Sequence, residues 1–135
     1  MQKTILIFYY SIKAANAGIK TDVYTAYADQ QIGYMLGDSG RSYVVGFGTD
    51  FPKQPHHKAA ACKSPPAECN WSTFEDLSQD NPHQLDGALV GGPKYANDQY
   101  QDIRTDYIMN EVTLDYNAGF QSAVAGLKAM ACSTS

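Results

Sequence analysis

The long stretch between Gly37 and Asp106 is the feature that most constrains how this chain can fold. It is rich in proline, glycine and asparagine, in segments such as DFPKQPHH, KSPPAECN and GGPKYAND, and shows almost no regular hydrophobic period. Irregular stretches of this length are uncommon inside a compact domain. The 135 residues suffice for one ordinary domain and no more. We therefore expect residues 1–135 to form a single segment of a larger folded unit, whose other helices support the irregular stretch.

Helices are predicted on both sides of this stretch. The first runs from about Lys3 to Ala17. The second starts at the N-cap pair Thr21-Asp22 and ends at Gly37, and the last covers about Glu111 to Ala131. The segment SYVVGFG, from Ser42 to Gly48, has the composition of a short strand. The residues at helical spacing in the second helix are Val23, Ala26, Tyr27, Gln30 and Tyr34. In the last helix, small residues that would permit close packing surround Leu114, Ala118, Ala125 and Leu127.

Charge and apolar pattern argue against two classes of partner. The formal net charge is -4, whereas phosphate binding requires a basic face, so we expect no nucleic-acid partner. No apolar run reaches the roughly 18 residues that a bilayer requires, so we expect no membrane span. At the N-terminus, Lys3, an apolar stretch and then Ala15-Asn16-Ala17 faintly resemble a signal peptide. An amphipathic helix closed by Gly18 is the competing interpretation.

The cysteines and histidines leave several interpretations open. Cys62 and Cys69 flank KSPPAE, where two prolines turn the chain. The pair forms either a small disulfide-closed loop, which implies an oxidising compartment, or two reduced and packed thiols. A zinc site would join these cysteines to His56 or His57, but the spacing fits no common zinc pattern. Neutral structural histidines are the simpler interpretation.

Acidic residues are concentrated near the C-terminus, at Asp102, Asp106, Glu111 and Asp115. An acidic residue in the first turn of a helix offsets unpaired amides and the positive end of the dipole, which by itself explains Glu111. The alternative is catalysis, which requires a carboxyl that keeps its proton near neutral pH. Burial against aromatic rings, or a nearby ionised Asp102, must then raise the pKa of Glu111 by more than the helix N-terminus lowers it. Asp98 and Asp102 also have a generic calcium-ligand spacing, although solvated surface carboxylates are the better-supported explanation.

Three segments occur in order along the chain: SYVVGFGTDFPKQPHHK, NPHQLDGALVGGP and YQDIRTDYIMNEVTLDYNAGFQSAVAGL. Together they resemble the C-terminal part of the family 9 glycoside hydrolases, the endo-β-1,4-glucanases. The cysteine pair followed by Asn70-Trp71 is similar to animal members. The resemblance covers about Ser11 to Leu127. It implies an all-α fold, the C-terminal portion of an (α/α)6 barrel, with a long irregular active-site loop region between helices. It also favours a barrel helix over a signal peptide at SIKAANAGI.

The resemblance assigns catalytic roles to three residues. Glu111 matches the general acid of the family, which protonates the glycosidic oxygen. Asp102 matches an active-site aspartate that supports the acid, and His56 matches an active-site histidine that contacts the sugar. Within YQDIRTDYIMNEVTLDYNAGFQSAVAGL, the residues that match the motif of the family are Tyr100, Asp102, Tyr107, Glu111, Thr113, Asn117 and Ala118.

Substrate binding is implied by the same resemblance for Lys58, Tyr116 and His57. Tyr116 matches a tyrosine that lines the sugar subsite next to the cleavage point. Lys58 stands where the family usually has arginine, and Asp50 stands where it usually has asparagine. Lysine keeps the positive charge but lacks the planar fork that binds two oxygens at once. The sugar contact at position 58 therefore departs from the pattern of the family.

The resemblance implies an endo-β-1,4-glucanase that hydrolyses internal bonds of cellulose with inversion. Inversion uses two carboxyl groups roughly 6.5–9.5 Å apart with a water between them. The base of the family lies in an Asp-Ala-Gly-Asp motif, which is absent from these 135 residues. We therefore expect the base on an N-terminal part outside this chain, and little or no activity from the chain alone.

Further expectations concern the surroundings of the enzyme. A β-1,4-glucan is the expected partner, no metal or other cofactor is required, and the full-length enzyme is a secreted, extracellular monomer. The alternative is a non-catalytic carbohydrate-binding module or an inactive fragment. It is motivated by the missing base and by an aromatic-rich chain, in which Trp71, Tyr43 and Tyr95 are candidate stacking rings.

Overall fold

A computed structural model of the chain describes residues 13–14, 17–19 and 21–133. The helices with bounds inside these ranges are α1 (Thr21–Leu36), α2 (Lys58–Ala61), α3 (Trp71–Glu75) and α4 (Leu114–Ser133). No strand is formed within these described ranges, which confirms the predicted all-α class. Most of the first predicted helix, Lys3 to Ala17, lies outside the described residues, as does most of the signal-peptide alternative.

The helix α1 begins at Thr21 and ends at the predicted glycine. Gly37 has φ of 115°, a left-handed conformation that favours glycine, and its N–H donates to the carbonyl of Gly33 at 2.9 Å. The buried face of α1 carries Ala28, Ile32 and Met35. Val23 is 65% exposed, so the residues predicted at helical spacing begin on the outer face.

The start of α4 differs from its prediction. The helix begins at Leu114, downstream of Glu111, because Thr113 provides the N-terminal cap: its Oγ1 accepts a hydrogen bond from the N–H of Tyr116 at 3.1 Å. Asp115 is the acidic residue of the first turn. The interpretation of Glu111 as a first-turn residue that stabilises the helix dipole is therefore wrong.

One hydrophobic core joins α1 and α4, which pack against each other. Phe120 and Ala123 are the residues that α4 buries in it, together with the face of α1 and loop segments 43–45 and 89–90. Ala118 and Ala125, which were predicted to permit close packing, lie exposed, and Leu114 is 89% exposed. The core thus uses only one side of each long helix.

The strand predicted from Ser42 to Gly48 is wrong. The segment forms an isolated antiparallel bridge between Val44 and Leu89. It cannot extend further, because Gly46 and Gly48 adopt left-handed φ values of 77° and 78° that turn the chain away. The bridge still contributes to the fold, because it anchors the irregular region to the core.

The short helices α2 and α3 are tied together by a disulfide between Cys62 and Cys69. This pairing selects the disulfide-closed loop over two reduced cysteines, and it removes the sulfur ligands that the zinc hypothesis required. Among the described residues, no group of three or more His, Cys, Asp or Glu side chains is arranged to hold a metal ion. In the same part of the chain, no helix has the length and apolarity needed to cross a bilayer.

Candidate active site

Glu111 lies in a short extended segment that pairs with the chain on two sides. A parallel bridge joins it to His56, and an antiparallel bridge joins the next residue, Val112, to Val90. The N–H of His56 donates to the carbonyl of Asn110 at 2.7 Å. The main chain therefore places Glu111 beside His56, although the two residues are far apart in sequence.

The carboxyl of Glu111 is half-buried and held at one oxygen. The hydroxyl of Tyr116 donates to Oε2 at 3.1 Å, because the first turn of α4 folds the tyrosine back over the carboxyl. Burial raises the pKa of Tyr116, and the hydrogen bond and charge of Glu111 raise it further, so the phenol keeps its hydrogen and acts as a donor. Within the described part of the chain Oε1 has no hydrogen-bond partner, which leaves it available to a ligand.

The ring of His56 is fixed by a hydrogen bond and by aromatic contacts. Its Nδ1 lies 2.6 Å from the carbonyl oxygen of Arg104. A carbonyl can only accept, so we assign the hydrogen to Nδ1. Phe74 meets the ring edge-on with centroids 5.3 Å apart, and Tyr107 lies at 6.3 Å. In the described region Nε2 makes no hydrogen bond, and it is the nitrogen left to contact a ligand.

Asp102 acts on the main chain that leads to His56. Its two oxygens accept hydrogen bonds from the N–H groups of Lys53 at 2.7 Å and Gln54 at 2.9 Å. Among the described residues, no hydrogen bond or ion pair joins Asp102 to Glu111. The structure therefore brings Asp102 into the site through residues 53–54 and not through direct contact with the carboxyl of Glu111.

Lys58 is held over an exposed aromatic ring. Its Nζ lies 4.1 Å from the centroid of Trp71, a cation–π contact. Trp71 is 64% exposed and packs edge-on against Phe74 at 5.9 Å, which in turn contacts His56. A series of ring contacts thus connects the charge of Lys58 to the histidine.

His57 contributes to the start of a short helix. Its Nδ1 accepts a hydrogen bond from the N–H of Ala60 at 3.1 Å and caps the start of α2. The ring borders a cleft of about 510 Å³, whose lining also includes Asp86, Leu114 and Gln121 but excludes Glu111, His56 and Asp102. His57 is therefore committed at Nδ1 to the cap of α2, and its ring borders a cleft whose lining includes Val112 and Thr113, close to Glu111 in the chain.

A tight turn at residues 106–110 precedes Glu111 and was missed by the sequence analysis. The Oδ1 of Asp106 accepts hydrogen bonds from the N–H groups of Ile108 at 3.0 Å and Met109 at 3.2 Å, and its Oδ2 lies 2.5 Å from Nζ of Lys94. Gly91 lies against this turn, where an added Cβ would overlap the carbonyl oxygen of Ile108. The available sequence signal was Asp106 itself, because an aspartate side chain often accepts hydrogen bonds from main-chain N–H groups ahead of it in a turn.

Two buried polar side chains were also missed. Arg104 is 2% exposed, and its guanidinium donates to the carbonyl oxygens of Gln79 and Thr73. Asn110 is 0% exposed. No periodicity marks either residue in the sequence, and their partners are distant in sequence or lie in irregular chain. Their position between motif residues was the only signal.

The two aspartates considered as calcium ligands, Asp98 and Asp102, accept hydrogen bonds from different protein groups. Asp98 accepts a hydrogen bond from the hydroxyl of Tyr34 at 2.7 Å. Asp102 accepts from the main-chain amides of residues 53–54. Each carboxylate therefore has a protein donor of its own.

The chain is similar to known proteins in both sequence and structure. The sequence profile of glycosyl hydrolase family 9 matches residues 1–124. Endoglucanase A of Bacillus pumilus is 47% identical over 108 residues, which is 78% of this chain and 15% of that protein. The endoglucanase of the termite Nasutitermes takasagoensis, solved at pH 2.5, matches with a TM-score of 0.87 and 49% identity, over 92% of this chain and 28% of that one.

A structure with bound sugars is similar as well. Endoglucanase CelQ from Clostridium thermocellum, complexed with cellobiose and cellotriose, has a TM-score of 0.72 and 40% identity, over 95% of this chain and 20% of that one. The chain thus spans only a minor part of the length of each of these relatives. The matched endoglucanases have an (α/α)6 barrel fold, which confirms the fold implied by the resemblance. The chain belongs to glycosyl hydrolase family 9.

Proposed function

We propose that this chain is the C-terminal part of the catalytic domain of an endo-β-1,4-glucanase, with Glu111 as its general acid. The observation that carries the proposal is the setting of Glu111: a half-buried carboxyl beside His56, with one oxygen held by Tyr116 and the other available. A general acid must present its proton within hydrogen-bond reach of the leaving oxygen. Family membership and the endoglucanases among its relatives support the choice of a β-1,4-glucan as substrate.

In the proposed mechanism Glu111 protonates the glycosidic oxygen while a water attacks the opposite face of the sugar. Inverting enzymes separate the acid and base by roughly 6.5–9.5 Å to accommodate that water. The base belongs to an N-terminal part of the enzyme outside this chain. His56 contacts a sugar hydroxyl through Nε2, while its hydrogen bond to Arg104 keeps the ring in place. Lys58 and Tyr116 contribute further sugar contacts.

The direct test is Glu111→Gln in the complete enzyme that contains this chain. Reducing ends released from carboxymethyl-cellulose should fall by about 10²- to 10⁴-fold, the usual contribution of a positioned acid. Glu75→Gln, at the exposed end of α3, is the matched control and should keep full activity. Near-wild-type turnover by Glu111→Gln would remove the assignment. Proton NMR of the first-formed product should show the α-anomer if hydrolysis inverts.

The localisation, cofactor requirement and oligomeric state of the enzyme belong to the same proposal. The disulfide Cys62–Cys69 supports secretion into an oxidising, extracellular environment. Acid–base hydrolysis with two carboxyls and a water needs no cofactor, and we propose none. We also propose that the full-length enzyme is a monomer, which sedimentation analysis would test.

The second candidate function is carbohydrate binding without catalysis by the isolated chain. Of the three candidate stacking rings, the choice of Tyr43 was wrong, because its side chain is 3% exposed and lies in the core. The support is the exposure of Trp71 and Tyr95, and also of Tyr107. Such rings stack on sugars. A pull-down on insoluble cellulose, paired with a reducing-sugar assay, separates the possibilities. Binding without sugar release favours this candidate, and the absence of both indicates an inert fragment.

A further inference from the structure

Asn110 occupies a buried position in which its polar groups are hydrogen-bonded. Its Nδ2 donates to the carbonyl oxygens of Gln101 at 2.8 Å and Ile103 at 2.9 Å, and its Oδ1 accepts from the hydroxyl of Tyr100. Its main-chain N–H donates to the carbonyl of Asp106 at 3.0 Å. Burial of a polar side chain is costly unless its groups are paired, so this arrangement is a built feature of the fold.

These bonds connect Asn110 to the three segments that carry His56, Asp102 and Glu111. Its carbonyl accepts the N–H of His56 at 2.7 Å. The carbonyls that bind its amide flank Asp102 on both sides. Glu111 follows it directly in the chain. One side chain and its own main chain therefore set how the segments of His56, Asp102 and Glu111 lie relative to one another.

The chemistry of the position requires an asparagine. Two carbonyls need two hydrogens and one phenol needs an acceptor, and a planar amide supplies all three on one short side chain. Aspartate would face both carbonyls with at most one hydrogen, and a side chain longer by one methylene would not fit a fully buried site. Burial raises the pKa of Tyr100, and the charge of Asp102 raises it further, so its hydroxyl stays a donor.

We propose that Asn110 is a positioning residue for catalysis: it holds the segment of Glu111 in register with those of His56 and Asp102, so that the acid meets the glycosidic oxygen. The inference rests on the proposed function of Glu111. It adds a residue that touches no substrate and acts through the main chain. A displacement of about 1 Å in a catalytic group can lower the rate by about 10²-fold.

The test uses Asn110→Asp and Tyr100→Phe in the complete enzyme, with two substrates. Carboxymethyl-cellulose needs protonation of its leaving oxygen, whereas 2,4-dinitrophenyl β-cellotrioside releases a phenolate that leaves without a proton. Asn110→Asp should lower kcat on the glucan by about 10²-fold with KM changed less than about threefold. For the same variant, kcat on the dinitrophenyl substrate should fall by less than about tenfold. Tyr100→Phe removes one hydrogen bond and keeps the ring. It should also lower kcat more on the glucan than on the dinitrophenyl substrate, but by smaller factors than Asn110→Asp.

Ser42→Ala controls for loss of stability. Ser42 is buried, and among the described residues its hydroxyl bonds only with the main chain of Val44. Its replacement should lower the melting temperature without any difference between the two substrates. If Asn110→Asp lowered kcat equally on both substrates, or on neither, the inference would be overturned. If Asn110→Asp does not fold, Tyr100→Phe decides by the same criterion.

Glu111→Gln, measured in parallel, separates this inference from the proposed function. It should spare the dinitrophenyl substrate far more than the glucan. If Glu111→Gln keeps its activity on the glucan, the proposed function fails and the inference fails with it. If Glu111→Gln loses activity on the glucan while Asn110→Asp and Tyr100→Phe keep theirs, only the inference fails.

Discussion

At the scale of single residues, the hydroxyl of Tyr116 controls the orientation of the Glu111 carboxyl through the bond to Oε2. Tyr116→Phe removes that bond and keeps the ring. Glu111 becomes a carboxylate as it gives up its proton, and a hydrogen bond to a charged group contributes about 1.5–3 kcal/mol, so we expect kcat on a soluble glucan to fall at least about tenfold. Initial rates over a range of glucan concentrations measure it. Tyr24→Phe removes a hydroxyl from α1, which carries none of the site residues, and should change nothing. Unchanged kcat for Tyr116→Phe would contradict the orienting role.

The ammonium group of Lys58 depends on Trp71 for its position. Lys58→Ala should raise KM for cello-oligosaccharides about fivefold, as expected for the loss of roughly 1 kcal/mol of binding. Lys58→Arg should match or improve on the wild type, because a guanidinium also stacks on indole and offers a planar fork. Trp71→Ala should raise KM about two- to fivefold. Lys63→Ala, in the exposed disulfide loop, is the matched control. A KM unchanged by Lys58→Ala would show that position 58 makes no sugar contact.

At the scale of elements, the turn at residues 106–110 couples stability to pH. Burial alone would raise the pKa of Asp106, but hydrogen bonds from Lys94 and from the N–H groups of Met109 and Ile108 outweigh it and hold the pKa below its ordinary value. A carboxyl whose pKa is lower in the folded than in the unfolded protein stabilises the fold at pH values above the unfolded pKa, which is near 3.9. This stabilisation is lost as the pH falls from the unfolded pKa through the folded pKa.

Asp106→Asn should therefore destabilise the complete enzyme at neutral pH and less so in acid. We expect the free energy of unfolding to fall by about 1–2 kcal/mol at pH 7, and the difference from wild type to shrink below about pH 4. Urea denaturation at a series of pH values measures it. Lys94→Met removes the same ion pair from the other side, so the double variant should lose less than the sum of the single losses. If the difference in unfolding free energy between Asp106→Asn and the wild type grew as the pH fell, the pKa of Asp106 would not be depressed in the folded protein.

Elements differed in how far the sequence could predict them. The end of α1 was predictable, because Gly37 is needed in a left-handed conformation. The start of α4 was misplaced at Glu111, since an acidic residue and the Thr113 cap are both N-terminal signals and the sequence did not rank them. The helices α2 and α3 are too short to show a period and were not predicted. They are stabilised by caps at their first turns and by the disulfide.

At the scale of the whole molecule, the candidate site was predictable only through the resemblance to a family. Spacing alone favoured a helix-end role for Glu111 over catalysis. Its pairing with His56 is a contact between segments far apart in sequence, made by main-chain bridges that have no sequence pattern. The hydrogen bonds of Asn110 were unpredictable because they join irregular segments. Composition did indicate a long irregular region that the three predicted helices could not fully support.

The outer faces of the two long helices provide the last prediction. Leu114 is 89% exposed and Val23 is 65% exposed in this chain, whereas Leu89 is fully buried. If the chain is one part of a larger barrel, other helices cover Leu114. Leu114→Ser should then change the unfolding free energy of the isolated chain by less than about 0.5 kcal/mol and reduce its binding of an apolar dye. In the complete enzyme the same substitution should cost about 2 kcal/mol or more, because it removes buried apolar area and buries a hydroxyl. Leu89→Ser is the matched control and should destabilise both proteins by about 2–5 kcal/mol. A neutral Leu114→Ser in both contexts would show that this face of α4 remains open in the complete enzyme.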